Sequence, residues 1–411
     1  MILRLFRRRA AWLLALAVIA PSGVRAQATA PYIESEWFDD WTLVCDNGRR
    51  CTAVGLPTQA VRISESGDDA LLTIVRDPQA GARARVEIVI PYWEGPGSGG
   101  RWALIDTSGK SVVPTLSARF APSTRVLRLR LPPTSVAALL SAQNEVALVD
   151  ASGKSKIALS LIGLKAVLTR LDAVQGRSGG VTAIVAKGPR PASAVPTPPP
   201  LPAVRKAASP RLPPARLKSP SALVALSARL SELEICAGMA YGVPAKTIGR
   251  PDRLDDKTLL WTIWCDPGGR AGFNQNHVPV LSAPDGRALR LLAFKDDHAP
   301  STVRAIMHAR PEQADDLRVP LMSNFEFEAS TGVLERSDVL DSIAQTSGSF
   351  ERYVWTGRQM ALFEAADISV PAASESANAA PYFKVWPPYY RAIVLPAKAD
   401  RPAFRPAAPP R

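Results

Sequence analysis

The sequence predicts an α+β chain dominated by strands: two antiparallel β-rich domains with a few helices, joined by a Pro-rich basic linker. Three observations predict it. At 411 residues the chain is too long for one ordinary core, so two are expected. Its 38 prolines are unevenly spread, with eleven of them between Pro189 and Pro220. Finally, the phrase Trp41-Thr-Leu-Val-Cys-Asp-Asn-Gly-Arg-Arg50 returns as Trp261-Thr-Ile-Trp-Cys-Asp-Pro-Gly-Gly-Arg270, with six identities at an offset of 220 positions.

The N-terminus comes first. Arg4 and Arg7 to Arg9 precede an apolar run from Ala10 to Ala20, followed by Pro21-Ser-Gly-Val-Arg-Ala26. This is the pattern of a signal peptide, residues 1–26, cleaved after Ala26. The run is far shorter than the ~20 residues of a membrane-crossing helix, so no transmembrane segment is expected after cleavage. An exported, periplasmic protein is expected, with release to the medium as the other destination. In an oxidising compartment the four cysteines, Cys45, Cys51, Cys236 and Cys265, read as two disulfides rather than a metal site. Three pairings are possible; Cys45–Cys51 with Cys236–Cys265 is favoured, because each bridge then stays on its own side of the proline segment.

In the first half, residues 31–186, Trp41, Leu43 and Cys45 share one strand face. Asp46-Asn47-Gly48 is turn chemistry, and Cys51 and Ala53 continue on the return strand. Setting Cys45 opposite Cys51 centres the turn on Gly48 and fixes the register. Further strands are expected at Ala70–Val75, Arg85–Ile90, Arg125–Leu131 and Glu145–Val149. Thr134 is expected to cap a helix over Ser135–Gln143. Ser160 is expected to cap a second, in which Leu161, Leu164, Leu168, Leu171 and Val174 form an apolar face ended by Gly176.

The segment 187–220 carries seven basic residues and no acid, and reads as a solvated polyproline tether that does not fold. The second half, residues 221–396, opens with Leu223, Leu226, Leu230 and Leu233 at helical spacing. Strands follow at Leu259–Cys265, Val278–Ser282, Leu289–Phe294, Tyr353–Trp355, Met360–Phe363 and Arg391–Leu395. Residues 397–411 read as a disordered tail. The formal net charge of +13 resides in the leader, the tether and the tail, leaving the folded halves near neutral. A basic face for nucleic acid is therefore not expected.

Phe38-Asp-Asp-Trp41, Cys45-Asp-Asn47, Cys51, Gly55 and Asp172-Ala-Val-Gln175-Gly-Arg177 occur in that order before the proline segment. Trp264-Cys265, Ala271-Gly-Phe273-Asn274, Tyr353-Val-Trp355-Thr-Gly357 and Trp386-Pro387 follow it. In this order the chain resembles an exported bacterial family labelled domain of unknown function 1176. The resemblance implies export and a two-part architecture, and no reaction. It also implies a third cysteine pair in the last third, which this chain lacks around Thr346 to Ser349 and in Ala372 to Pro381.

Signals for chemistry are sparse. The three histidines, His277, His298 and His308, include no pair at the i+3 or i+4 spacing of a helical metal site, and no metal or cofactor is expected. No nucleophile motif sits in a strand-to-helix turn, and Gly95 to Gly100 lacks the ending of a phosphate loop. Three groups remain as binding candidates: Asp172, Gln175 and Arg177 at a helix end; Trp264, Phe273 and Asn274 around the repeated strand; and Trp386 and Tyr390 before the last one. The expected function is a non-enzymatic binding or structural factor of the cell envelope, meeting an envelope protein or anionic polymer through its basic linker. The alternatives are an envelope hydrolase acting on peptidoglycan or another glycan through paired carboxylates, and a lysozyme-inhibitor-like binding protein.

Overall fold

The computed structural model describes residues 32–57, 70–91, 101–150, 156–236, 248–265, 274–295, 302–339, 347–369 and 385–397. The expected signal peptide and the tail beyond Ala397 lie outside them, as do Phe273 and His298. The fold is β-dominated, with several antiparallel sheets and few helices, as predicted.

Ten strands make the first sheet: β1 (Ile33–Phe38), β2 (Trp41–Cys45), β3 (Cys51–Gly55), β4 (Leu71–Arg76), β5 (Arg85–Ile90), β6 (Trp102–Asp106), β7 (Ser111–Ala121), β8 (Val126–Leu131), β9 (Glu145–Asp150) and β10 (Lys156–Ser160). Their order is β1-β2-β3-β4-β5-β8-β7-β6-β9-β10. The long β7 turns the sheet, pairing with β6 near its start and with β8 near its end. A bridge between Pro57 and Leu159 then brings β10 back to the end of β3. Inside this curl, Trp41, Leu43 and Cys45 meet Leu164, Val167, Leu168 and Leu171 of helix α2 (Leu164–Val174). The shorter helix α1 (Ser135–Ser141) adds Val136 and Leu139.

The turn reads as the sequence predicts. Cys45 pairs with Cys51 in register and is bridged to it, and Arg49 N–H donates to the Asp46 carbonyl at 2.8 Å. Both expected helix caps need correction. Thr134 makes no side-chain cap, and its helix stops at Ser141. Ser160 ends β10, donating its hydroxyl to Asp40 at 2.6 Å, while α2 starts four residues later after Gly163. That glycine has φ of 92°, and a Cβ there would meet the Phe38 carbonyl oxygen at 1.9 Å, so no other residue fits.

In the second half, helix α3 (Ser221–Glu232) packs Leu223, Leu226 and Leu230 on Leu259, Trp261 and Ile263. β12 (Asp252–Asp255), β13 (Thr258–Trp264), β14 (Asn276–Ser282), β15 (Arg290–Leu291) and β16 (Met322–Ser323) form its sheet, and Cys265 after β13 is bridged to Cys236 after α3. The expected strand Leu289–Phe294 is thus only two residues long. Helix α4 (Val303–His308) buries Ile306 in the same core. A further sheet comprises β17 (Glu326–Glu328), β18 (Val333–Val339), β19 (Ser347–Trp355), β20 (Met360–Ser369) and β21 (Tyr390–Arg391).

The β17–β21 sheet changes the expected architecture. Phe350, Ala366, Ile368 and Trp386 pack on Val54, Leu56 and Leu71, the outer face of the first sheet. Tyr353, Trp355 and Met360 pack on Leu254, Leu260 and Leu281 of the second half's sheet. β2 and β3 are consequently buried on both faces, which is why every residue of each is inaccessible. The expected independence of the halves gives way to shared apolar cores.

The proline segment likewise differs from a free tether. Pro196 sits against Gly176 and Leu201 against Gly48. β11 (Ala203–Arg205) pairs in parallel with β22 (Ile393–Leu395), with Val204 buried. Ala207 N–H donates to the Trp355 carbonyl at 2.7 Å, and Arg211 N–H to Asp256 at 2.7 Å. Prolines make such a strap cheap to order, because their φ is already fixed and they bring no N–H to satisfy. The intervening non-proline residues supply the contacts.

Candidate functional site

The three groups of candidate residues fall in different places. Asp172, Gln175 and Arg177 are buried at the end of α2, where they form a closed polar network. Asp172 accepts from Arg76 Nη1 at 3.1 Å and from Ile184 and Val185 N–H at 2.7 and 3.0 Å. Gln175 donates to the Arg49 and Arg76 carbonyls at 2.9 and 3.0 Å and accepts from Arg177 Nε at 2.9 Å. Arg177 also donates to the Ala80 and Gln79 carbonyls at 2.8 and 2.6 Å. Desolvation, then the nearby Arg177, lowers the Arg76 pKa to about 10, which leaves it charged near neutrality. With its groups engaged, the network holds the cysteine hairpin and the loop at 77–80 onto α2; it offers a ligand nothing.

Trp264 is 43% exposed at the end of β13, the outward position that alternation predicts, with its ring edge-on to His277 at 5.5 Å. Asn274 donates to Asp338 at 2.6 Å and accepts from Asn324 at 3.0 Å, tying β14 to β18. Trp264 is thus an exposed ring beside a polar joint.

Trp386 is buried against Phe350 and Ile368, and Tyr390 lies in β21, paired with Ala365 of β20. Together with Pro387 and Pro388, Trp386 walls a cleft of about 590 Å³. The floor is the outer face of the first sheet, beyond the apolar stripe that the β17–β21 sheet covers. It presents Thr52 of β3, Thr73 and Val75 of β4, Arg85 and Glu87 of β5, and Arg128 and Arg130 of β8. Glu87 is shared by Arg130 at 3.1 Å and Arg128 at 3.5 Å. Asp77 is shared by Arg85 at 2.6 Å and Arg50 at 3.4 Å. From the opposite wall Arg391 reaches across to Asp46 of the first sheet's hairpin at 2.5 Å, and within that wall Glu364 accepts from Arg352 at 3.0 Å. Desolvation and the neighbouring Arg391 hold the Arg50 pKa below its ordinary value.

This cleft is the candidate site, and the sequence reading named only the Trp386 side of it. Near-neutral folded halves predicted no basic face; the structure instead gathers arginines on one side of one sheet, which composition averages conceal. The signal was present in the alternation of Arg128-Leu-Arg130 and Arg85-Val-Glu87, which puts charges on a single strand face.

Among the described residues, no helix is long and apolar enough to cross a membrane, and no group of three His, Cys, Asp or Glu side chains is placed to hold a metal ion. The chain matches the family described as "Protein of unknown function (DUF1176)" over residues 35–376 and belongs to that family. A comparison with curated proteins gives no match. Among solved structures it is similar to the crystal structure of invasion associated protein b from Bartonella henselae, at 19% identity, with a TM-score of 0.27. That match covers 34% of this chain and 98% of the other.

Proposed function

We propose that this protein is an exported, non-enzymatic factor of the cell envelope, and that the cleft between the first sheet and the Trp386-Pro-Pro wall is where it binds an envelope component. The single observation behind this reading is that each carboxylate lining the cleft, Asp46, Glu87 and Glu364, is already engaged by an arginine. A glycan hydrolase needs one carboxyl free to give a proton to the leaving group and a second free to act on the other side. Here the carboxylates space guanidiniums instead. Two disulfides agree with an oxidising compartment.

The test is to express the full chain in a bacterium, release the periplasm by osmotic shock, and label free thiols before and after reduction. Recovery in the shock fluid with thiols labelled only after reduction is expected, and purified protein incubated with peptidoglycan should liberate no soluble fragments. Retention in the cytoplasm, or release of muropeptides lost on Glu87→Gln, would overturn the reading.

A further inference from the structure

The arginine floor extends past the cleft. In the pairing of β7 with β8, Arg119 stands directly opposite Arg128, and Ser117 opposite Arg130. In the pairing of β5 with β8, Arg130 stands opposite Glu87. Cross-strand partners share a face, so Arg119, Arg128, Arg130 and Arg85 line one side of the sheet, with Arg50 at its margin. Five guanidiniums there meet two carboxylates, Glu87 and Asp77, and among the described residues Arg119 pairs with neither. Like charges set directly opposite on a strand pair destabilise the sheet. Arg128 shares Glu87 with Arg130, so the opposition is only partly offset within the fold, and the surplus positive charge around Arg119 marks a place where something outside can supply the rest.

Resting on the cleft as the binding site, we infer that its ligand is an extended polymer chain carrying carboxylate or phosphate groups, laid across β3-β4-β5-β8-β7. Planar guanidiniums match both oxyanions, and two that share one carboxylate retain a surplus charge for a ligand. Four inter-strand steps of ~4.8 Å give a strip of roughly 19 Å, too long for a single small anion to span. The Trp386-Pro-Pro wall stands beside the floor, so a narrow chain reaches the arginines where a flat membrane is held off. Trp386, the tryptophan of that wall, is buried, so it gives no stacking platform of the kind single-stranded nucleic acids use.

The experiment is a titration of the full mature chain with polygalacturonate, long-chain polyphosphate, inorganic phosphate, neutral dextran, oligo(dT) and phosphatidylglycerol vesicles, at low and high salt. Binding by polygalacturonate or polyphosphate, at least ~10-fold tighter than inorganic phosphate and lost at high salt, is expected; which of the two wins identifies the oxyanion. Arg119→Glu should weaken that binding on the order of 10-fold while raising Tm by about 1 °C, because it turns the Arg119–Arg128 opposition into an ion pair. Arg128→Gln should weaken binding as well. Equal binding of dextran, tighter binding of vesicles or oligo(dT), or an Arg119→Glu chain that binds unchanged would each overturn the inference. Those outcomes leave the export and peptidoglycan results untouched, so the two proposals fail separately.

Discussion

The strands Trp41–Cys45 and Trp261–Cys265 share a phrase and a core role, yet they are held in place differently. Each buries its tryptophan completely and gives the indole N–H one partner: Trp41 donates to the Ser160 carbonyl at 3.0 Å, Trp261 to the Ser282 hydroxyl at 2.8 Å. The first is bridged to its own hairpin neighbour, six residues on, and the second to the end of a helix 29 residues earlier. The first hairpin is also seized from below by Gln175 and the Asp172 network. The second relies on the leucines of α3. The same local phrase therefore serves two anchoring strategies: both strands pack on the leucines of a helix, but the first adds a short bridge and a buried polar network, while the second is cross-linked over a long loop.

The sharpest way to break the comparison is through the polar anchor. Asp172→Ala removes the buried acceptor of Arg76 Nη1 and of two backbone N–H groups, leaving the Arg76 and Arg177 charges in the interior without their carboxylate. Truncating one side of a buried ion pair costs about 3–5 kcal/mol, so a large drop in the urea midpoint is expected. Asp172→Asn, which keeps one acceptor, should recover part of it. An Asp172→Ala chain as stable as the original would show that the network is decorative.

A smaller effect separates the bridges. On the chain-entropy account, closing loops of seven and thirty residues contributes about 2.4 and 3.6 kcal/mol respectively. Replacing Cys236 and Cys265 together by Ser should therefore cost more than replacing Cys45 and Cys51, as read by thermal unfolding under matched conditions. The gap should widen further because the first hairpin keeps a second hold: Asp46 accepts from Gly48 and Arg50 N–H at 2.9 and 2.8 Å inside the turn. Equal losses would mean that loop size is not what distinguishes the anchors.

How much of this was legible in the sequence follows from range. The hairpin register, the core face of β2 shared by Trp41, Leu43 and Cys45, and the helical spacing of the leucines in α3 are local, and they were readable. Ser160 was misread because a serine just before a run of leucines serves a strand end bonded to Asp40 as well as a helix start; only the distant partner decides. The proline segment was misread for a related reason. Its composition excludes a core of its own, but not docking on a core made by others, and Val204 and Leu201 become meaningful only when β22 and Gly48 are beside them. The cleft stayed hidden because its arginines come from four separate stretches, at 50, 85, 128–130 and 391, and meet only once the strand order β3-β4-β5-β8 and the packing of β21 are known.

The weakest expected effect is also the most local, and it belongs to the second strand alone. His277 sits on β14 opposite Trp264, and burial lowers its pKa below the ordinary 6.5. As pH falls below 6.5 the unfolded chain takes up this proton before the folded one does. The stabilisation is therefore full above that pH and is lost as pH falls toward the folded pKa. Half-buried Asp252 and Asp367, with pKa values raised by desolvation, act with the opposite sign nearer the carboxylate range, so the histidine signal stands apart at its alkaline end. His277→Gln should flatten the dependence of Tm on pH just below 6.5. Trp264 fluorescence, compared with a Trp264→Phe chain, should respond over the same interval because the two rings touch edge to face. The first strand has no histidine in its half, so if Cys45–Cys51 hairpin unfolding shifted over the same pH interval after His277→Gln, the two anchors would be coupled through the shared cores rather than independent.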